Sequence, residues 1–226
     1  MKYFYKKPLC LILSVAIIAF TAGCGTTSKD DANPSNKSHA QNTENGEALW
    51  EQDSIGFGFK CPKNLKLYDE KELEGIQSTA LDGFSYILYA CDAVEPGSKF
   101  QVLDPQTGKA VERDLDPSIK NFSVASIQVK NDDNTDLKDV TELQKQKITE
   151  KCTSNGWENP DFQVMSQELD GKSYTSLDAQ YHSLSGCYIC ETSFFIKKQN
   201  NIIVITVWTA KGYAMMMDMF DWFYHT

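Results

Sequence analysis

Between residues 162 and 209 one pattern occurs four times: a run of eight to twelve strand-forming residues, then a short connection. The runs are 162–169, 172–183, 187–197 and 202–209. Connections this short cannot carry a crossover, so the four strands must form an antiparallel meander. Asp170-Gly171 joins the first two, and that dipeptide tolerates the positive φ angles of a type I′ turn. Ser185-Gly186 and Gln199-Asn200-Asn201 close the other two. In the second run Thr175, Leu177, Ala179 and Tyr181 share one face. Tyr174, Ser176, Asp178, Gln180 and His182 share the other, which reads as the wetter side.

The remaining elements fit around this meander. IGFGFKC, residues 55–61, alternates apolar with small or polar residues as a half-buried strand does, and Pro62 ends it. Residues 84–91 (FSYILYAC) read as a strand buried on both faces, and residues 121–130 (NFSVASIQVK) as another. Residues 95–117 carry turn signals throughout and read as a loop. Asp136 is an N-cap for a helix with Asp139 in its first turn and Leu137, Val140, Leu143 and Ile148 as apolar positions. That helix should stop near Asn155-Gly156. A terminal helix should present Tyr213, Met216, Met217, Phe220 and Phe223 to the sheet.

The chain opens with Lys2, Lys6 and Lys7, an apolar run over 9–22, and Thr21-Ala22-Gly23-Cys24. This is the layout of an export signal, too short and wrongly flanked for a spanning helix. A cysteine after Ala-Gly resembles a lipobox, in which Cys24 is diacylated, palmitate being one such chain, and becomes the new N-terminus. Thr21 departs from the usual leucine. Residues 24–48, after that cysteine, are polar and rich in Asn, Ser and Thr, a disordered tether reaching roughly 25–30 Å. A single folded domain should occupy 49–226. Two or three acyl chains hold a protein stably on a membrane, so the expected place is the extracytoplasmic face of the cell membrane.

Net charge is −9, and removing residues 1–23 with three lysines brings it to about −12. Phosphate backbones and anionic lipid surfaces need clustered basic residues, so nucleic acid is excluded as a partner and the lipid is the membrane link. Arg113 is the one arginine, leaving bidentate carboxylate or phosphate recognition to a single position. Beyond Cys10 and Cys24 stand Cys61, Cys91, Cys152, Cys187 and Cys190, an odd number, so at least one is free or pairs between chains.

Strands, helix, four-stranded meander and closing helix, opened by IGFGFKCPKNL, is an order that resembles the PsbP-like domains over 49–226. The resemblance implies an α+β fold in which an antiparallel sheet is covered by helices on both faces. It implies a role in binding partners as an assembly or accessory factor, and it carries no set of catalytic residues.

No constellation for catalysis or cofactor binding converges. Cys187-x-x-Cys190 lies in a strand, where residues three apart point to opposite faces, and reads as packing rather than redox chemistry. Residues 132–136 match the first half of a calcium loop, but Leu137 and Leu143 stand where glycine and a bidentate glutamate are needed. They read as an acidic turn capping the next helix. Gly56-x-Gly58 reads as strand glycine against a packed neighbour. Of three consecutive methionines, 215–217, at least one should meet a groove or solvent. Asp178 and His182 share a strand face and are the surface candidates. The expected function is a non-catalytic binding module that meets an envelope protein or wall component through the sheet's polar face or residues 95–117. No cofactor or metal is expected. The alternatives are a small-ligand or metal-binding lipoprotein, or a hydrolase or thiol enzyme using His182 with Asp178 or a free cysteine.

Overall fold

The computed structural model describes residues 39–42 and 48–226, apart from 96, 104, 105 and 133. The export signal, Cys24 and most of the tether lie outside the described residues. In chain order the elements are β1 (His39–Asn42), β2 (Ala48–Gln52), β3 (Phe57–Cys61), β4 (Lys66–Leu67), α1 (Glu70–Ile76) and β5 (Ser85–Cys91). They continue with β6 (Lys99–Leu103), β7 (Ala110–Asp114), β8 (Ser123–Asn131), α2 (Leu137–Asn155), β9 (Asp161–Leu169) and β10 (Lys172–His182). The chain closes with β11 (Tyr188–Lys198), β12 (Asn201–Thr209), α3 (Tyr213–Phe220) and β13 (Phe223–His225).

The meander stands as its turns require. β9, β10, β11 and β12 are antiparallel neighbours, and β8, β5 and β4 extend them into a seven-stranded sheet of order β4-β5-β8-β12-β11-β10-β9. Asp170 (φ 47°) and Gly171 (φ 72°) both take positive φ, as a type I′ turn needs. A second sheet has the order β1-β2-β3-β13, and β6 pairs with β7 alone. Asp136 caps α2 by accepting from the Lys138 amide, and left-handed Gly156 (φ 67°) ends it. There the Gly156 and Trp157 amides donate to the carbonyls of Thr153 and Cys152, closing the helix end on itself.

Two apolar layers flank the large sheet. Under α2, Val140, Ile148 and Cys152 meet Leu177, Ala179, Tyr181, Ile189, Phe195 and Val204. On the other face Phe57, Phe59 and Phe223 of the second sheet, with Met216 and Met219 of α3, meet Leu88, Ile127, Phe194, Ile203, Ile205 and Val207. Each fully buried side chain of this kind contributes about 1.5–3 kcal/mol relative to exposure. The architecture is α+β with an antiparallel sheet covered on both faces. Among the described residues no helix is long and apolar enough to cross a membrane.

Several sequence expectations need correction. Residues 95–117 are not a loop throughout: 99–103 and 110–114 pair as a hairpin whose tip holds Thr107-Gly108, the turn signals marking its ends rather than an absence of strand. Only one face of β5 is fully buried, through Leu88 and Ala90, while Tyr86 and Tyr89 are half-buried. The terminal helix stops at Phe220, because Tyr224 is needed in β13 beside Gly58. Met216, Met219 and Phe220 turn inward and Met217 is 44% exposed. Four residues of the stretch read as tether, His39–Asn42, pair with β2 as an edge strand. Finally, the supposed wet face of β10 is covered by the second layer, and Ser176 and Asp178 on it are buried.

Candidate functional site

The covering of β10 separates the two residues expected together. Asp178 is 3% exposed. Its carboxylate accepts from Thr192 Oγ1 at 2.7 Å and from Gln167 Nε2 at 3.0 Å. Burial raises its pKa above the ordinary carboxyl value. His182 lies four residues on, about 13 Å along the strand. Its Nδ1 faces outward to Glu158 Oε2 at 2.9 Å, and its ring lies 5.2 Å from that of Tyr188. Asp178 is therefore a satisfied core acid and His182 a surface histidine.

The described cysteines are free and buried. Cys187 belongs to the layer under α2 and Cys190 to the opposite layer, as strand alternation demands. His182 and Cys187 do line one cavity of about 700 Å³ below the β6–β7 hairpin. Burial pushes the Cys187 thiol up to about 11, and its Sγ donates to the Ala210 carbonyl at 3.6 Å. Burial likewise takes Cys61 and Cys152 to about 11 and raises Cys91 and Cys190. None of the five is primed to ionise at neutral pH. In the acidic turn, Asp132 accepts from Thr135 and pairs with Lys130 at 2.8 Å, while Asp136 caps α2, so both carboxylates serve the turn and helix. Among the described residues no group of three or more His, Cys, Asp or Glu side chains could hold a metal ion.

A second concave site was not foreseen. α2 lies over β11. Beside it, β12, β8 and β5 floor a cleft of about 620 Å³, a size typical of small-molecule sites. The floor is polar where a sheet under a helix is ordinarily apolar. Tyr89 on β5 is paired with Ser126 on β8, Ser126 with Thr206 on β12, and Thr206 with Ser193 on β11. This row of hydroxyls crosses four strands, and Gln128 lies two residues along β8 from it. The alternate residues of β8, Ala125 and Ile127, belong to the apolar layer on the far side. The strand's period of two puts Val124, Ser126 and Gln128 toward the cleft.

One network holds the inner wall. The Glu191 carboxylate on β11 is 6% exposed and takes three donors: Lys151 Nζ at 2.5 Å, the Tyr181 hydroxyl at 3.0 Å and Gln144 Nε2 at 3.2 Å. Tyr181 in turn accepts from Trp208 Nε1 at 2.9 Å and stacks on Trp157 at 5.8 Å. Burial first, then the adjacent Glu191 charge, hold the Tyr181 phenol protonated well above its ordinary range. Gln144 Nε2 also donates to Ser193 at 3.0 Å, which bonds Thr206 at 2.9 Å. Tyr86 and Tyr89, edge to face at 5.6 Å, form the opposite wall. Lys120 and Lys147 stand with Lys151 among the lining residues. The arrangement offers fixed donors, aromatic faces and a cationic side, and no nucleophile beside a free base. In sequence the signal was Ser126 and Gln128 in one phase of β8 and the single glutamate, Glu191, of β11, both invisible as a site until the strands are ordered in the sheet.

No family model and no curated protein sequence matches the chain. Among solved structures it is similar to the solution structure of cyanobacterial PsbP (CyanoP) from Synechocystis, with 14% identity over 72% of this chain and 93% of that one and a TM-score of 0.34. It is also similar to the crystal structure of LpqN, involved in cell envelope biogenesis of Mycobacterium tuberculosis. There identity is 11% over 84% of this chain and 91% of that one, with a TM-score of 0.38.

Proposed function

We propose that this chain is an exported lipoprotein, anchored through Cys24 at the outer face of the cell membrane, that binds an envelope component rather than catalysing a reaction. The cleft beside α2 is its seat. The observation that carries this reading is the polar floor of Ser126, Gln128 and Thr206 left under an open, aromatic-walled cleft. A face meant only for a helix to cover would be filled with apolar residues, because each buried hydroxyl must otherwise find a partner. The inward hydrogen bonds of Asp178, the outward pairing of His182 and the raised thiols support binding over the hydrolase and thiol readings.

The test is capture of solubilised envelope and wall material by the purified chain, compared with a Trp208→Ala variant whose folding is first verified by circular dichroism. Saturable capture lost in the variant supports the cleft as the seat. Capture that survives Trp208→Ala moves the site elsewhere, and a blank removes the binding reading. The anchor has its own test: Cys24→Ala should release the protein from membranes, and continued attachment would refute lipidation there.

A further inference from the structure

We infer that the cleft takes a hydroxylated ring bearing a negative charge, an acidic sugar unit. This rests on the binding reading above and adds the chemistry of the ligand.

The charge comes from the lining. Lys120, Lys147 and Lys151 stand there against Glu150 and Glu191. Glu191 is spent on Lys151, Tyr181 and Gln144, and Glu150 accepts from Gln146 at 2.9 Å. Among the described residues Lys120 donates to the Pro117 carbonyl alone, at 2.5 Å. Among the described residues no carboxylate lies within ion-pair reach of Lys120 or Lys147. The chain as a whole carries −9, so a cationic opening runs against its composition. A ligand anion there gains charge-assisted hydrogen bonds that a neutral group does not.

The ring comes from the walls and floor. Tyr86, Tyr89 and Trp208 are half-buried in the lining and present aromatic surface. The negative face of an aromatic ring attracts the positive C–H edge of a pyranose. Below lie Ser126, Thr206 and Gln128, which can bond ring hydroxyls. An acyl chain in the same place would cover these groups without offering a partner, at a cost for each one.

The test is thermal unfolding of the purified chain with glucuronate, glucose, or a uronate oligomer. Glucuronate at about ten times its dissociation constant should raise the midpoint by about 3–5 °C, with glucose giving less than about a third of that rise. Lys147→Glu should abolish the glucuronate shift. Lys138→Glu, on the exposed first turn of α2, should keep it, with both variants unfolding near the wild-type midpoint when no ligand is present. A larger shift from the oligomer at equal uronate concentration identifies a glycan as the source, and an equal shift identifies the free unit. Equal shifts from glucose and glucuronate, indifferent to Lys147→Glu, would overturn the anion assignment while leaving a sugar site. No shift from any of the three, with Trp208→Ala still abolishing envelope capture, would overturn the saccharide assignment and leave the binding reading intact.

Discussion

Tyr181 on β10 donates its phenol proton to Glu191 on β11 at 3.0 Å while accepting the indole proton of Trp208 at 2.9 Å. One hydroxyl thus joins the buried acid to the aromatic wall of the cleft. Tyr181→Phe keeps the stack on Trp157 and removes both bonds, leaving a buried indole N–H and a carboxylate short of a donor. The expected loss is about 1–3 kcal/mol in chemical denaturation. An unchanged midpoint would show that water replaces the hydroxyl.

Asp178→Asn should stabilise the protein at neutral pH. Burial raises the carboxyl pKa in the folded state, so folding is penalised once the carboxylate must be charged. The wild type therefore loses stability as pH rises from the unfolded value near 4 through the folded value, and the asparagine variant does not. The Thr192 bond survives, and Gln167, whose buried Oε1 has no hydrogen-bond partner, can turn its amide to accept from the new Nδ2. The difference in melting temperature between variant and wild type should grow across that window and level off above it. A difference of the opposite sign at pH 7 would mean that the carboxylate is needed in charged form.

His225 of β13 is tied to the β9–β10 hairpin. Its amide and Nδ1 meet Asp170 Oδ2 at 2.6 and 2.9 Å, and its Nε2 meets the Tyr174 hydroxyl at 2.7 Å. The backbone bond, then the imidazole bond, hold Asp170 below the usual carboxylate value. A depressed carboxyl stabilises the fold above the unfolded pKa, and that stability is lost as pH falls through the folded value. Asp170→Asn keeps a residue that tolerates positive φ in the turn. It should lower the melting temperature at pH 7 by a margin that shrinks as pH falls from the unfolded value near 4 through the lower folded value. A margin independent of pH would place the cost in the turn.

Gly58 has the Tyr224 ring lying across it. A Cβ at residue 58 would stand 2.3 Å from Cζ of that ring. Gly58→Ala must swing the ring away, breaking the 2.7 Å bond from the Tyr224 hydroxyl to Glu51 and the contact with Lys60. The expected cost is about 1–2 kcal/mol, falling to near zero in a Tyr224→Ala background. An undiminished cost in the double variant would implicate the backbone of β3 instead of the ring.

Much of the fold was legible from local chemistry. The meander, the type I′ turn at Asp170-Gly171, and both ends of α2 at Asp136 and Gly156 follow from residues that dictate their own backbone. The opposite facing of Cys187 and Cys190 follows from strand period alone. The capping box of Asp69 and Glu72 that starts α1 was equally local but went unread. The β6–β7 hairpin was missed because turn residues mask two short, exposed strands between them.

Burial belongs to the tertiary structure. Period two says that Asp178 and Tyr181 face opposite ways, and no property of β10 says that both faces are covered. The second sheet, assembled from strands at the two ends of the domain, covers the face that carries Asp178 and turns a surface acid into a core one. The cleft has the same origin. Ser126, Thr206, Ser193 and Glu191 lie on three strands up to 80 residues apart, and only the order β8-β12-β11 sets them side by side. Local sequence determined which elements form and where they end, because turns and caps act over a few bonds. Which faces meet water was decided by contacts between distant segments, because burial depends on what arrives to cover a surface.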